Sequence, residues 1–152
     1  MGLLMEYASM KISAKTEYAC VAMLELAAHY PTGQPVRVRG IAERHGIPSR
    51  FLVQILLQLK GAGLVASVRG AAGGYRMVRP PNEISLGQVM EAIDGNGEDE
   101  ISTAASPDSS IVRALMDTWR EIRALEREAL GKITLAELLE RAKDQEGQMF
   151  FI

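Results

Sequence analysis

Residues 61–81, GAGLVASVRGAAGGYRMVRPP, constrain this chain more than any other stretch. Two short apolar runs, 64–68 and 75–78, flank a tip that holds Gly70, Gly73 and Gly74. That pattern predicts a β-hairpin, because glycine lets the backbone turn where a side chain would clash. The hairpin is also cationic. Arg69 ends the first run, and Arg76 and Arg79 accompany the second.

The residues before the hairpin read as helices. Ser13 is an N-cap, and Ala19, Ala22, Met23, Leu26, Ala27 and Tyr30 recur at helical spacing, predicting a helix over 15–30 with one buried face. Pro31 and Pro35 bound a break. A short helix over 38–45 is marked by Ile41 and Ala42, and Gly46 sits where a tight turn wants a left-handed residue. Pro48 suits the first turn of the next helix, 49–60. Its apolar face is Phe51, Leu52, Ile55, Leu56 and Leu59, while Ser49, Arg50, Val53, Gln54 and Gln58 point away. Helix, turn, helix and basic hairpin are the layout of a winged helix-turn-helix, so the expected fold class is mainly α with a small β-hairpin wing.

After the wing, Ser85-Leu-Gly-Gln88 is a capping box opening a helix with Leu86, Val89, Met90 and Ile93. Residues 94–106 are small and polar, predicting a loop, and Ser106-Pro107 reads as a helix start. Ile111, Leu115, Trp119, Ile122, Leu125 and Ala129 then share one face until Gly131. A second capping box, Thr134 to Glu137, opens a last helix to about Lys143. The helix over 107–130 would be about 36 Å long. One small domain cannot cover its apolar face, so Ile111, Leu115, Trp119, Ile122 and Leu125 are expected at a homodimer interface. The expected organisation is an extension over 1–9, a DNA-binding winged helix-turn-helix domain over 10–95, a flexible loop over 96–106, and a dimerisation helix with a C-terminal helix over 107–152.

Charge supplies the partner. The chain's net charge is −2, but residues 37–79 hold eight basic side chains and one acidic, Glu43, whereas residues 80–152 hold seven basic and fifteen acidic. Clustered cations are what a phosphate backbone requires, and an acidic remainder limits non-specific sticking. Double-stranded DNA is therefore the expected partner. No apolar run reaches the ~18 residues a membrane span needs, and residues 1–10 lack a secretory pattern. The single cysteine, Cys20, fits a reducing compartment, so a cytoplasmic protein is expected.

Within this frame Arg50 and Gln54 lie one turn apart on a polar face, suited to guanine and adenine edges respectively. Ser49 at the helix N-terminus suits a phosphate or a base. Arg69 suits a narrow minor groove. Gly73 and Gly74 let the tip turn and approach phosphates closely, and Arg76 and Arg79 suit phosphates. Gln58 and Lys60 are expected to meet backbone or solvent, and Tyr75 to pack. No catalytic constellation is visible: His29 and His45 have no metal spacing, and Cys20, among Ala19, Val21 and Met23, reads as a small buried hydrophobe. No catalytic residue, metal ligand or cofactor is expected.

The segments MKISAKTEYA (10–19), IAERHGIPSRFLVQIL (41–56), LKGAGLVASVRGAAGGYRMVRPP (59–81), ISLGQVMEAIDG (84–95) and ITLAELL (133–139) together resemble the Rrf-two (IscR/NsrR-type) family of bacterial regulators. The resemblance implies a dimeric winged-helix transcription factor, with Ser49, Arg50 and Gln54 at DNA-touching positions, Arg69 entering the minor groove, and residues 107–130 crossing between subunits. The best-known members carry three cysteines before the long helix and hold an iron–sulfur cluster. Here that stretch, GNGEDEISTAASPDSS, has neither cysteine nor histidine, and ligation needs thiolates or imidazoles. Glu98, Asp99 and Glu100 in it read as solvated. A further departure is Arg37, where a capping serine or threonine is expected. The resulting expectation is a homodimeric, cluster-free DNA-binding regulator, a repressor, answering a small-molecule or protein effector. A winged-helix interaction module without DNA binding, and a sensor with an unidentified cofactor, stand as alternatives.

Overall fold

The computed structural model describes residues 11–95 and 102–149. The extension over 1–9 and most of the 96–106 loop, Glu98, Asp99 and Glu100 included, lie outside the described residues. Helix α1 (Ala14–His29) opens on Ser13, whose side chain accepts from Thr16 N. Its face of Ala19, Ala22, Met23, Leu26 and Ala27 is buried. A short 3-10 turn, Tyr30–Thr32, follows. Helix α2 (Val38–His45) ends at Gly46, whose φ of 66° is the left-handed conformation the sequence predicts there. As the missing serine or threonine implies, Arg37 gives α2 no side-chain cap.

Helix α3 (Ser49–Gly61) buries Leu52, Ile55, Leu56 and Leu59. Phe51, assigned by periodicity to that face, is instead 46% exposed. It stands at the edge of the stripe, and the Arg50 guanidinium covers its ring at 5.0 Å. Strands β1 (Val65–Val68) and β2 (Gly74–Met77) form the hairpin, pairing Val65 with Met77 and Val68 with Gly74. Val36 adds one further rung, exchanging two 2.8 Å backbone hydrogen bonds with Tyr75. The wing is thereby stitched to the segment leading into α2. Tyr75 packs against the core, as expected.

Helix α4 (Leu86–Asp94) has its capping box formed in both directions between Ser85 and Gln88. Asp94, read from sequence as the first loop residue, closes this helix and accepts a 2.7 Å bond from the buried Thr16 hydroxyl. Helix α5 (Ser110–Lys132) starts three residues later than Pro107 suggests, because Ser109 caps Val112 N. It also runs through Gly131 rather than ending there, since glycine disfavours a helix without forbidding it. Helix α6 (Leu135–Met149) is capped by Thr134 and outruns its expected end at Lys143. Ser85 and Thr134 form an antiparallel bridge, and Leu135 is fully buried. The core thus wraps α1 with α3, α4, α6 and β2, drawing on residues from both sides of the 96–106 segment.

Candidate nucleic-acid interface

The surface built by α2, Gly46, α3 and the hairpin starts from how α2 is held. Glu25 of α1 is 8% exposed. Its carboxylate accepts from His45 Nε2 at 2.7 Å and from Arg44 at 3.2 Å, and His29 Nδ1 lies 3.2 Å away. A carboxylate offers only lone pairs, so His45 carries a proton on Nε2. Both Arg44 and His45 lie in the last turn of α2, where the helix dipole favours cations. The end of α2, and the Gly46 turn after it, are thus fastened to α1.

Burial of the 52/55/56/59 stripe rotates the opposite side of α3 outward. Ser49, Arg50 and Gln54 are all exposed on it. No side chain caps the N-terminus of α3, which leaves its first amides and positive dipole end available to an anion. Lys60 and Gln58 are occupied within the protein. Lys60 Nζ donates to Ser67 Oγ at 2.8 Å, joining α3 to β1. Gln58 Nε2 donates to Ala92 O at 3.3 Å and Ile93 O at 3.1 Å, carbonyls at the C-terminal end of α4.

On the wing, Arg69, Arg76 and Arg79 are exposed. Gly73 is buried and Gly74 half-buried. A Cβ at Gly73 would strike the carbonyl oxygen of Val68, and one at Gly74 that of Val36. These glycines therefore have an intramolecular job: they let the tip close on β1 and the hairpin close on the Val36 rung. The Arg37 guanidinium donates to Ala71 O, tethering the tip from the start of α2. Sequence reading did not find the Arg37, Gln58 or Glu25 contacts, since each joins residues far apart in the chain or faces of different helices.

The stripe on α5 is open. Ile111, Leu115, Trp119, Ile122 and Leu125 are all exposed, Ile111 by 80%. The face is continuous along a helix of 23 residues, about 34 Å.

Among the described residues no group of three or more His, Cys, Asp or Glu is placed to hold a metal. Cys20 lies half-buried on α1, and its thiol is pushed up to about 11, first by burial and then by the Asp94 charge. That opposes the thiolate a metal requires. No described helix is long and apolar enough to cross a membrane.

A helix-turn-helix with its second helix exposed, beside a basic wing locked to the same core, defines a winged-helix DNA-binding regulator. Comparison with known proteins agrees. Residues 12–141 match the Rrf2 family, described as "Iron-dependent Transcriptional regulator". A Mycobacterium tuberculosis protein classed as an HTH-type transcriptional regulator is 42% identical over 131 residues, 85% of this chain and 81% of that one. The solved structure of T. potens IscR superposes with a TM-score of 0.72 at 34% identity, covering 90% of each chain. That of CymR, titled the global cysteine regulator of B. subtilis, gives 0.75 at 30% identity, covering 87% of this chain and 98% of its own. The chain belongs to the Rrf2 family of bacterial transcriptional regulators, and its relatives are regulators rather than enzymes.

The family description names iron, and the donor set here does not fit an iron–sulfur cluster. Cys20 is the chain's one cysteine, on the core side of α1, and residues 95–109 contain neither cysteine nor histidine.

Proposed function

We propose that the protein is a homodimeric, sequence-specific DNA-binding repressor that works without an iron–sulfur cluster and resides in the cytoplasm. The observation that carries this is the joint exposure of Arg50 and Gln54 on α3 next to a wing bearing Arg69, Arg76 and Arg79. In this reading Arg50 addresses guanine and Gln54 adenine in the major groove. Ser49 and the free amides of α3 meet a phosphate. Arg69 enters the minor groove, and Arg76 and Arg79 meet phosphates. Gly73 and Gly74 hold the tip in the shape that brings its backbone to the duplex. Two copies pair through the α5 stripe, setting two recognition helices about one helical turn of DNA apart. Occupancy of such a site blocks transcription until a small-molecule or protein effector weakens binding.

Selection of bound sites from random duplex DNA tests the reading. A two-fold symmetric motif is expected, with Arg50→Ala and Gln54→Ala each costing about 1–3 kcal/mol and relaxing one base position. Equal binding of wild type and Arg69→Ala at every salt concentration would remove the wing from the interface. Transcription in vitro from the selected site separates repressor from activator.

A further inference from the structure

The exposed face of α3 is not wholly polar. Val53 is 45% exposed and Leu57 55%. At 3.6 residues per turn, Arg50, Val53, Gln54 and Leu57 form one contiguous patch, each touching its neighbours at a spacing of three or four. The two apolar side chains therefore sit between and beyond the two base-reading candidates. A surface that only needed solubility would carry polar residues here, as α2 does with Arg39 and Glu43.

Resting on the DNA-binding reading above, we propose that Val53 and Leu57 read the 5-methyl groups of thymines in the major groove. The occupant is chosen by charge. Arg50 lies inside the patch, Lys60 follows Leu57 by three residues on the same helix, and residues 37–79 as a whole hold eight basic side chains against one acidic, so the apolar spots suit a polyanion. The apolar groups that duplex DNA presents in its major groove are thymine methyls. Spacing fits as well. Four residues of helix advance about 6 Å, close to two base-pair steps of about 3.4 Å. Val53 and Leu57 thus address thymines within about two base pairs of one another, beside the purines met by Arg50 and Gln54.

The test uses the duplex obtained by selection, with the thymines of one half-site replaced singly by deoxyuridine, which lacks only the methyl. Affinity is measured by fluorescence anisotropy at fixed salt. Wild type is expected to lose about fourfold at one or two neighbouring positions, the worth of one buried methyl. Val53→Ala and Leu57→Ala are each expected to abolish the penalty at one of those positions. Both sites are surface-exposed, and an unchanged thermal midpoint confirms that the variants fold. Unchanged wild-type affinity for every substituted duplex overturns the assignment, as does a penalty that persists in both variants. If Arg50→Ala still weakens binding in that case, DNA reading stands and only the methyl contacts fall. A Leu57→Ala change that lowers the mass of the DNA-free protein would assign the pair to a contact between copies, and so overturn the proposal.

Discussion

Gln58 of α3 holds the last turn of α4 by donating to the carbonyl of Ile93 at 3.1 Å, with Ala92 O a second acceptor at 3.3 Å. It lies one turn beyond Gln54, yet it looks inward where Gln54 looks out. One glutamine thus satisfies carbonyls that a helix end leaves unpaired and sets the pitch of α3 against the core. Gln58→Ala should cost about 1 kcal/mol, the worth of the lost bonds after solvation. Urea denaturation should show a lower midpoint at unchanged slope.

Glu25 anchors α2 from a buried position, with Arg44 and His45 as partners. Replacement by glutamine keeps the shape and removes the charge. Glu25→Gln should destabilise by about 1–2 kcal/mol, because hydrogen bonds to a charged group are the stronger kind. Arg44→Ala should cost less, since the Arg44 side chain is 66% exposed and water screens its share. Unfolding midpoints of the two variants rank the effects.

Gly73 sits against the backbone of Val68 and Gly70. Those atoms belong to the hairpin itself and cannot step aside as a flexible side chain would. Gly73→Ala should open the wing tip, whereas Arg37→Ala should only loosen it by freeing Ala71 O. Amide hydrogen exchange around residues 69–74 should accelerate strongly in the first variant and mildly in the second, with the helical core unchanged in both.

Cys20 loses its proton only near pH 11 in the folded chain, against 9.0 for a free thiol. A folded pKa raised above the unfolded value means that the neutral thiol stabilises the fold below pH 9. That contribution drains away as pH climbs from 9 to 11, where the unfolded state gives up its proton first. The stability gap between wild type and Cys20→Ala should therefore narrow across this window, as chemical denaturation at pH 8 and pH 10.5 would show. At pH 8 alkylation of the native thiol should be slow.

The α5 stripe predicts assembly. A charge at its centre costs nothing in an isolated chain, where Trp119 is half exposed, but is severe if a second helix covers it. Trp119→Glu should convert a dimer to a folded monomer, seen as a halved mass in light scattering with helical content retained. It should also lower DNA affinity, because two linked half-sites bind together more tightly than one.

Local pattern carried much of this protein. The Ser13 cap, the Ser85–Gln88 box, the Gly46 turn and the glycine-bounded hairpin each depend on residues a few positions apart, so they can be read along the chain. The buried stripe of α3 follows from its period, and so does the outward placement of Arg50 and Gln54. Where local pattern and tertiary packing disagree, as at Asp94, a residue at the margin of an element is held by its neighbour in space, here the Thr16 hydroxyl.

The amino-acid sequence by itself determined the order of helices, the wing, the cationic face and the lack of cluster ligands, all of which are local or compositional properties. Only the tertiary structure decided which polar residues are spent inside. Gln58 closes α4, Lys60 holds β1, Arg37 holds the wing tip and Glu25 holds α2, each across 7 to 35 positions of chain. A hydrogen bond between distant residues leaves no periodic trace in the sequence, because its geometry exists only after the hydrophobic core has brought the helices together.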